Sequence, residues 1–220
     1  MKPAIVTGEL LADLSHDLRT PLNGVIGFTI LMREGKIGPL SPDQHECLGD
    51  ILTCAHELLQ AVNDISDLGK AEAGTLAFRP EPVDLAAVLD AVRDAVRPLS
   101  APKQVQVTAT IDPALAGIVT DPARLKQMVS SCVANAVKAT PEGGRVTIRM
   151  IPEDAERFRI EIEDGGSRSR PTGDDAGLAL TLSRRIAELQ GGRLDVCSTA
   201  DRGNVMLAVL PRAPEARRGG

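Results

Sequence analysis

Aromatic side chains are almost missing from this chain: three Phe stand among 220 residues, with no Trp and no Tyr. A core must then come from Leu, Val, Ile and Ala, which suits helical bundles and small layered folds. Proteins that hold single-stranded nucleic acid stack its bases on aromatic faces, and this composition offers no such platform. A concentrated basic stripe is also lacking, and the net charge is −5, so nucleic acid is not an expected partner. No apolar run approaches the ~20 residues that span a bilayer, and the opening residues Met1–Glu9 do not read as a signal peptide. A cytoplasmic chain without a membrane segment is therefore expected. Cysteine is sparse. Cys47, Cys54, Cys132 and Cys197 form no C-x-x-C pair and show no metal-ligand spacing. Cys47 and Cys54 lie seven apart on one predicted helix, which favours core packing. His45 and His56 have no ligand partners at useful spacing and are expected on the surface.

What the chain does have is strong periodicity. Leu10, Leu11, Leu14, Leu18, Leu22, Ile26 and Ile30 recur near a 3.6-residue period, predicting a helix over 8–34. Pro21 lies inside it and is expected to kink it. A connector rich in Gly and Pro runs from Glu34 to Pro42. Ser41 is a candidate N-cap, with Pro42 at the first helical position. A second helix is predicted over 42–72, with the stripe Leu48, Ile51, Leu52, Ala55, Leu58, Leu59, Val62, Ile65 and Leu68. One hairpin cannot bury two such stripes. Pairing two copies into a four-helix bundle can, so a homodimer is expected.

The remainder alternates between helix and strand patterns. Residues 1–76 form the hairpin, 77–104 a linker and the first helix of a second domain (85–99), 105–212 an α/β sandwich, and 213–220 a tail. Strands are predicted at 105–111, 145–151, 158–163, 193–198 and 204–210. Asp121 and Pro122 start a helix that runs to about residue 140. Another spans 177–190 and stops at Gly191-Gly192, and 165–176 reads as a polar loop. Without regular β-α-β alternation, the fold class is α + α/β, a helical hairpin followed by an α/β sandwich.

The chemistry concentrates in three places. Residues 14–24 read Leu-Ser-His-Asp-Leu-Arg-Thr-Pro-Leu-Asn-Gly. His16 lies off the apolar stripe and should point outward, with the carboxylate of Asp17 beside it and the hydroxyl of Thr20 one turn on. Asn135 and Lys138 lie three apart on one helix face, ahead of Thr140-Pro141-Glu142-Gly143-Gly144. A neutral oxygen ligand suits a hard cation that keeps several waters, and an ammonium offsets phosphate charge. Glu163-Asp164-Gly165-Gly166 follows a predicted strand, and Gly177-Leu178-Ala179-Leu180 opens a helix, where backbone amides can approach phosphate.

These motifs resemble those of sensor histidine kinases over about residues 8–210. The stretch around His16 is similar to their H-box, the Asn135 region to their N-box, Asp164–Gly166 to the start of their G1 motif, and Gly177 to their G2 motif. Leu68-Gly69-Lys70-Ala71-Glu72-Ala73-Gly74 is similar to the end of their dimerisation hairpin. The resemblance implies a dimeric four-helix bundle and a Bergerat-type ATP-binding domain of the GHKL class. It implies ATP and Mg²⁺ as cofactors, with Asn135 as the metal ligand, Lys138 on phosphate and Asp164 accepting from the adenine amino group. It implies His16 as phosphoryl acceptor and a response-regulator receiver domain as partner. Asp17 would accept from the second ring nitrogen, and Thr20 would orient a water on the receiver phosphate; the competing role for Thr20 is a hydroxyl bonded to a helix carbonyl.

The chain also departs from the pattern. Ser131 stands where the N-box usually carries another Asn, Arg168 replaces the second Gly of G1, and Ala179 replaces the second Gly of G2. Only twelve residues, 165–176, separate Asp164 from Gly177, and no aromatic residue follows Phe158. The resemblance implies a long lid with a phenylalanine-bearing box there, so both are cut away. Arg168 and Arg170 remain as loop cations. The alternative reading is a histidine phosphotransfer protein or receiver phosphatase with a vestigial nucleotide domain. A silent dimerisation and docking module comes third, against the intact His16–Thr20 string.

Overall fold

The computed structural model describes residues 5–165, 177–199 and 203–213. They form two compact units, residues 1–76 and 77–220.

The first unit is the hairpin of α1 (Ile5–Arg33) and α2 (Pro42–Glu72). Helix α1 continues through Pro21. The start of α2 is a capping box: Ser41 Oγ accepts from the Gln44 N–H, and the Gln44 side chain accepts from the Ser41 N–H. Ile26, Leu52 and Ala55 make the buried seam, with Leu59 packed against it. Leu48 and Val62 are buried as well.

Part of the expected stripe lies elsewhere. Leu18, Ile30, Ile51 and Leu58 are exposed. Cys47 and Cys54 are exposed too, contrary to the core packing expected of them, whereas Cys132 is buried and Cys197 exposed. The reason is helical geometry. Leu48, Leu52, Ala55 and Val62 face α1, while Cys47, Ile51, Cys54 and Leu58 project from a strip rotated by about 100°, which one antiparallel partner does not reach. His45 and His56 are exposed, as expected.

The second unit layers helices α3 (Leu85–Ser100), α4 (Pro122–Ala139) and α5 (Gly177–Leu189) with a five-stranded sheet. Its strands are β2 (Gln106–Ile111), β4 (Arg145–Pro152), β5 (Arg157–Glu163), β6 (Arg193–Thr199) and β7 (Gly203–Pro211), in the order β2-β4-β5-β7-β6. Strands β2 and β4 run parallel; the other pairs are antiparallel. A two-residue strand β1 (Glu81–Pro82) pairs with β3 (Val119–Thr120). The stretch expected as a plain linker is thereby held down, helped by the Val83 N–H donating to Ile118 O at 2.9 Å.

Alternation sorts the sheet into two faces. Ile148 and Met150, Phe158, Ile160 and Ile162, and Met206, Ala208 and Leu210 are buried with the apolar faces of α4 and α5. On β4 and β5 the intervening residues include a charged set: Arg149 meets Glu163 at 3.0 Å and Glu161 at 3.6 Å, and Arg159 meets Glu153 at 2.9 Å and Glu161 at 3.0 Å. Of the three phenylalanines only Phe158 is in this core, and Met128, Met150 and Met206 take volume that Leu, Val, Ile and Ala were expected to fill.

Caps define the helices. Asp84 accepts from the Ala86 and Ala87 N–H groups. Asp121 accepts from Ala123 and Arg124 through Oδ1 and from the Arg79 N–H through Oδ2, so it also anchors the segment before α3. At the other end of α4, the Lys103 ammonium donates to the carbonyls of Val137, Lys138 and Thr140 at 2.9, 2.9 and 2.7 Å. A cation there satisfies orphan carbonyls and complements the helix dipole. Helix α5 ends where Gly192 N–H donates to Ala187 O. A Cβ on Gly192 would lie 2.2 Å from Val209 O, so only glycine lets that turn sit against β7.

Candidate functional site

On the hairpin, the residues flanking His16 fasten α1 to α2. Ser15 is buried and its hydroxyl donates to Val62 O at 3.3 Å. Arg19 Nε donates to Asn63 Oδ1 at 2.9 Å. His16 between them turns the other way, its side chain 80% exposed. Its Nδ1 is 3.7 Å from Asp17 Oδ1, an ion-pair distance rather than a hydrogen bond. Thr20 is exposed on the same face, one turn on. Among the described residues no helix carbonyl takes its hydroxyl, unlike Thr29 with Val25 O or Thr53 with Gly49 O. Neither Ser15 nor Arg19 was singled out in the sequence. The signal was there in the spacing: each precedes an outward residue, His16 and Thr20, by one position.

In the second unit, Asn135 is half-buried and Lys138 exposed, both toward the C-terminal end of α4. Among the described residues nothing hydrogen-bonds the Asn135 amide, which leaves it able to meet a ligand. The turn after α4 folds back onto the end of β5. A Cβ on Gly165 would lie 3.3 Å from Arg145 O and 3.7 Å from Thr140 Cγ2. Asp164, just before it, is buried at 4% exposure, and so the Asn135–Gly144 and Asp164–Gly165 motifs are brought to one end of the sheet. Gly177 opens α5 with φ +54°, a left-handed conformation in which an L side chain is strained. Gly166, Arg168 and Arg170, with the loop 166–176, lie outside the described residues. Ser131, half-buried on α4, has a hydroxyl oxygen that is enclosed and without a partner. One further residue enters from β7: Asn204 donates twice to the Asp164 carboxylate. Nothing in the sequence near Asn204 pointed to it.

Among the described residues no helix is long and apolar enough to cross a membrane, and no group of three or more His, Cys, Asp and Glu is placed to hold a metal.

A solvent-facing histidine on a two-helix hairpin, joined to a layered unit with an Asn/Lys helix end beside a buried Asp, defines a phospho-acceptor and ATPase pair. The His Kinase A (phospho-acceptor) domain family matches residues 7–74. The histidine kinase-, DNA gyrase B- and HSP90-like ATPase family matches residues 120–214. The sensor histidine kinase GacS of Pseudomonas protegens is 35% identical over 224 residues, covering 90% of this chain and 24% of that protein. Histidine protein kinase DivJ of Caulobacter vibrioides is 33% identical over 222 residues, covering 92% and 37%. The crystal structure of full-length ShkA in complex with AMPPNP superposes with a TM-score of 0.74 at 29% identity, over 96% of this chain and 47% of that one. The chain belongs to the sensor histidine kinase family. It spans about a quarter to a little over a third of these curated relatives.

Proposed function

We propose that this chain is the catalytic core of a two-component histidine kinase, which moves the γ-phosphoryl group of ATP to His16 and then to an aspartate of a response-regulator receiver domain. The observation that carries the reading is His16 itself, exposed between two residues that hold its helix to α2. A neutral imidazole nitrogen of His16 attacks phosphorus in line; the N–P bond forms as the bond to ADP breaks. The ring proton then leaves from the second nitrogen, and the Asp17 carboxylate 3.7 Å from Nδ1 is placed to favour that charge before it goes. Mg²⁺, when bound, neutralises phosphate charge. Asn135 with its unengaged amide would hold the metal, Lys138 would meet phosphate, and Asp164 would take the adenine amino group, with Gly166 and Gly177 letting the backbone approach. Thr20, with its hydroxyl unoccupied, would orient water for removal of the receiver phosphate. ATP supply puts this chemistry in the cytoplasm.

The exposed apolar strip of the hairpin, with Phe28 at 67% and Leu58 at 58% exposure, supports a homodimer built as a four-helix bundle. The enclosed, unpartnered hydroxyl of Ser131 favours a second reading, a phosphotransfer protein or receiver phosphatase with a weakened nucleotide site. Incubation with γ-labelled ATP and Mg²⁺, beside a receiver carrying labelled phosphate, separates the two. Acid-labile label from ATP, lost in His16→Ala, is the expected result. Label that exchanges only with the receiver would establish the second reading, and label persisting in His16→Ala would remove both. Thr20→Ala should slow receiver dephosphorylation while leaving His16 labelling within about twofold, since Thr20 touches no step of the forward transfer.

A further inference from the structure

The turn that leaves α3 is strained, and the strain serves the far end of α4. Val105 N–H donates to Ser100 O at 2.9 Å and Gln104 N–H to Ala101 O at 3.1 Å, the crossed pair of a Schellman motif. Glycine usually takes the left-handed position of that motif. Here Gln104 takes it, with φ +53°, and among the described residues no other non-glycine has a positive φ. Such a conformation is disfavoured for an L side chain and persists only where the surroundings dictate it. What it delivers is the placement of Lys103, just before it. Lys103 is half-buried. Its ammonium donates to Val137 O at 2.9 Å, Lys138 O at 2.9 Å and Thr140 O at 2.7 Å. Its own carbonyl accepts from Gly143 N–H at 2.9 Å, and Gln106 N–H, at the start of β2, donates to Gly144 O at 3.0 Å. Residues 103–106 thus grip the whole junction 137–144, the last turn of α4 and the loop after it. An ammonium has three hydrogens, and here a carbonyl takes each of them.

We infer that Lys103 is a positioning residue for the phosphoryl transfer, resting on the reading above that Asn135 and Lys138 meet metal and phosphate. With its hydrogens engaged it acts through α4 and not on the nucleotide. Two effects combine. Helix ends fray when their last carbonyls lack donors. Asn135 and Lys138 both lie in the last five residues of α4, so the bonds to Val137 O and Lys138 O fix the backbone from which these two side chains project. The second effect is charge. A helix C-terminus carries about half a negative elementary charge, and a triphosphate that meets Lys138 is brought to that end. The Lys103 ammonium, seated on the end carbonyls, offsets a partial charge that would otherwise repel the phosphates.

The test follows His16 labelling by γ-labelled ATP and Mg²⁺ on the full chain, with thermal unfolding measured alongside. Two constants are read: the rate at saturating ATP, and the ATP concentration that gives half that rate. Lys103→Met keeps the stem and removes the ammonium; Lys103→Gln keeps a two-hydrogen donor without the charge. In Lys103→Met the half-saturating ATP concentration should rise by about fivefold or more, with the saturated rate falling by less than about threefold. A merely structural role would lower the rate in proportion to the unfolded fraction and leave the half-saturating concentration where it was, because the molecules still folded bind as before. That result, or no change in either constant, overturns the inference. If Lys103→Met shows no folding transition, the same two constants in Lys103→Gln decide. A wild type that labels from ATP while the variants keep its half-saturation defeats this inference alone. A wild type that takes no label from ATP defeats the kinase reading and this inference with it.

Discussion

Cys132 lies wholly inside the second unit, and burial pushes its thiol up to about 12, against the Ser183 hydrogen bond and the Arg184 charge, which pull the other way. Its value in the unfolded chain is the ordinary 9.0. A folded-state value above the unfolded one means that the contribution is complete below pH 9 and is lost as pH rises toward 12. Denaturant midpoints of the wild type should therefore fall between these two pH values, and Cys132→Val should flatten that fall. At neutral pH a thiol reagent should label exposed Cys197 promptly and Cys132 only on unfolding. Residue-level legibility divides along the same line. The exposure of His16 was readable because an outward position on a helix follows from the stripe it avoids. The exposure of Cys47 and Cys54 was not, because a seven-residue spacing says that two residues share a strip without saying which strip is covered.

Among the elements, α4 shows how much a local pattern carries. Thr120-Asp121-Pro122 places its start, and Asp121 caps it as that spacing predicts. Its far end depends on Lys103, more than thirty residues earlier in the chain. Lys103→Met removes three charge-assisted bonds from carbonyls that have no other donor in the helix. The expected loss is about 1–3 kcal/mol of unfolding free energy for the second unit, read by urea titration, and an unchanged midpoint would remove Lys103 from the cap. The strands were legible from alternation to within a residue or two. Their order was not. Strand β2 pairs in parallel with β4 rather than with a sequence neighbour, and the two-residue β1–β3 pair is too short to leave a periodic trace.

For the molecule as a whole, the consequential surface is the apolar strip that the hairpin leaves open. Leu58→Glu puts a charge on that strip without touching the Ile26–Leu52–Ala55 seam. Light scattering should then report a monomer where the wild type reports a dimer, while the far-ultraviolet circular dichroism of the second unit stays the same. A dimer that survives Leu58→Glu together with Phe28→Glu would place the interface elsewhere. The sequence by itself determined the elements, their caps and the fold class, and it set His16 on the outward side of its helix. Each of these follows from short-range spacing: a 3.6 or 2 period, a capping residue, a motif read in order. Tertiary structure alone decided which part of each helical stripe is covered, how β2 joins the sheet, and that Asn204 holds Asp164 from forty residues away. Burial and cross-strand register depend on surfaces brought together from distant parts of the chain, and no local pattern encodes the partner that will arrive.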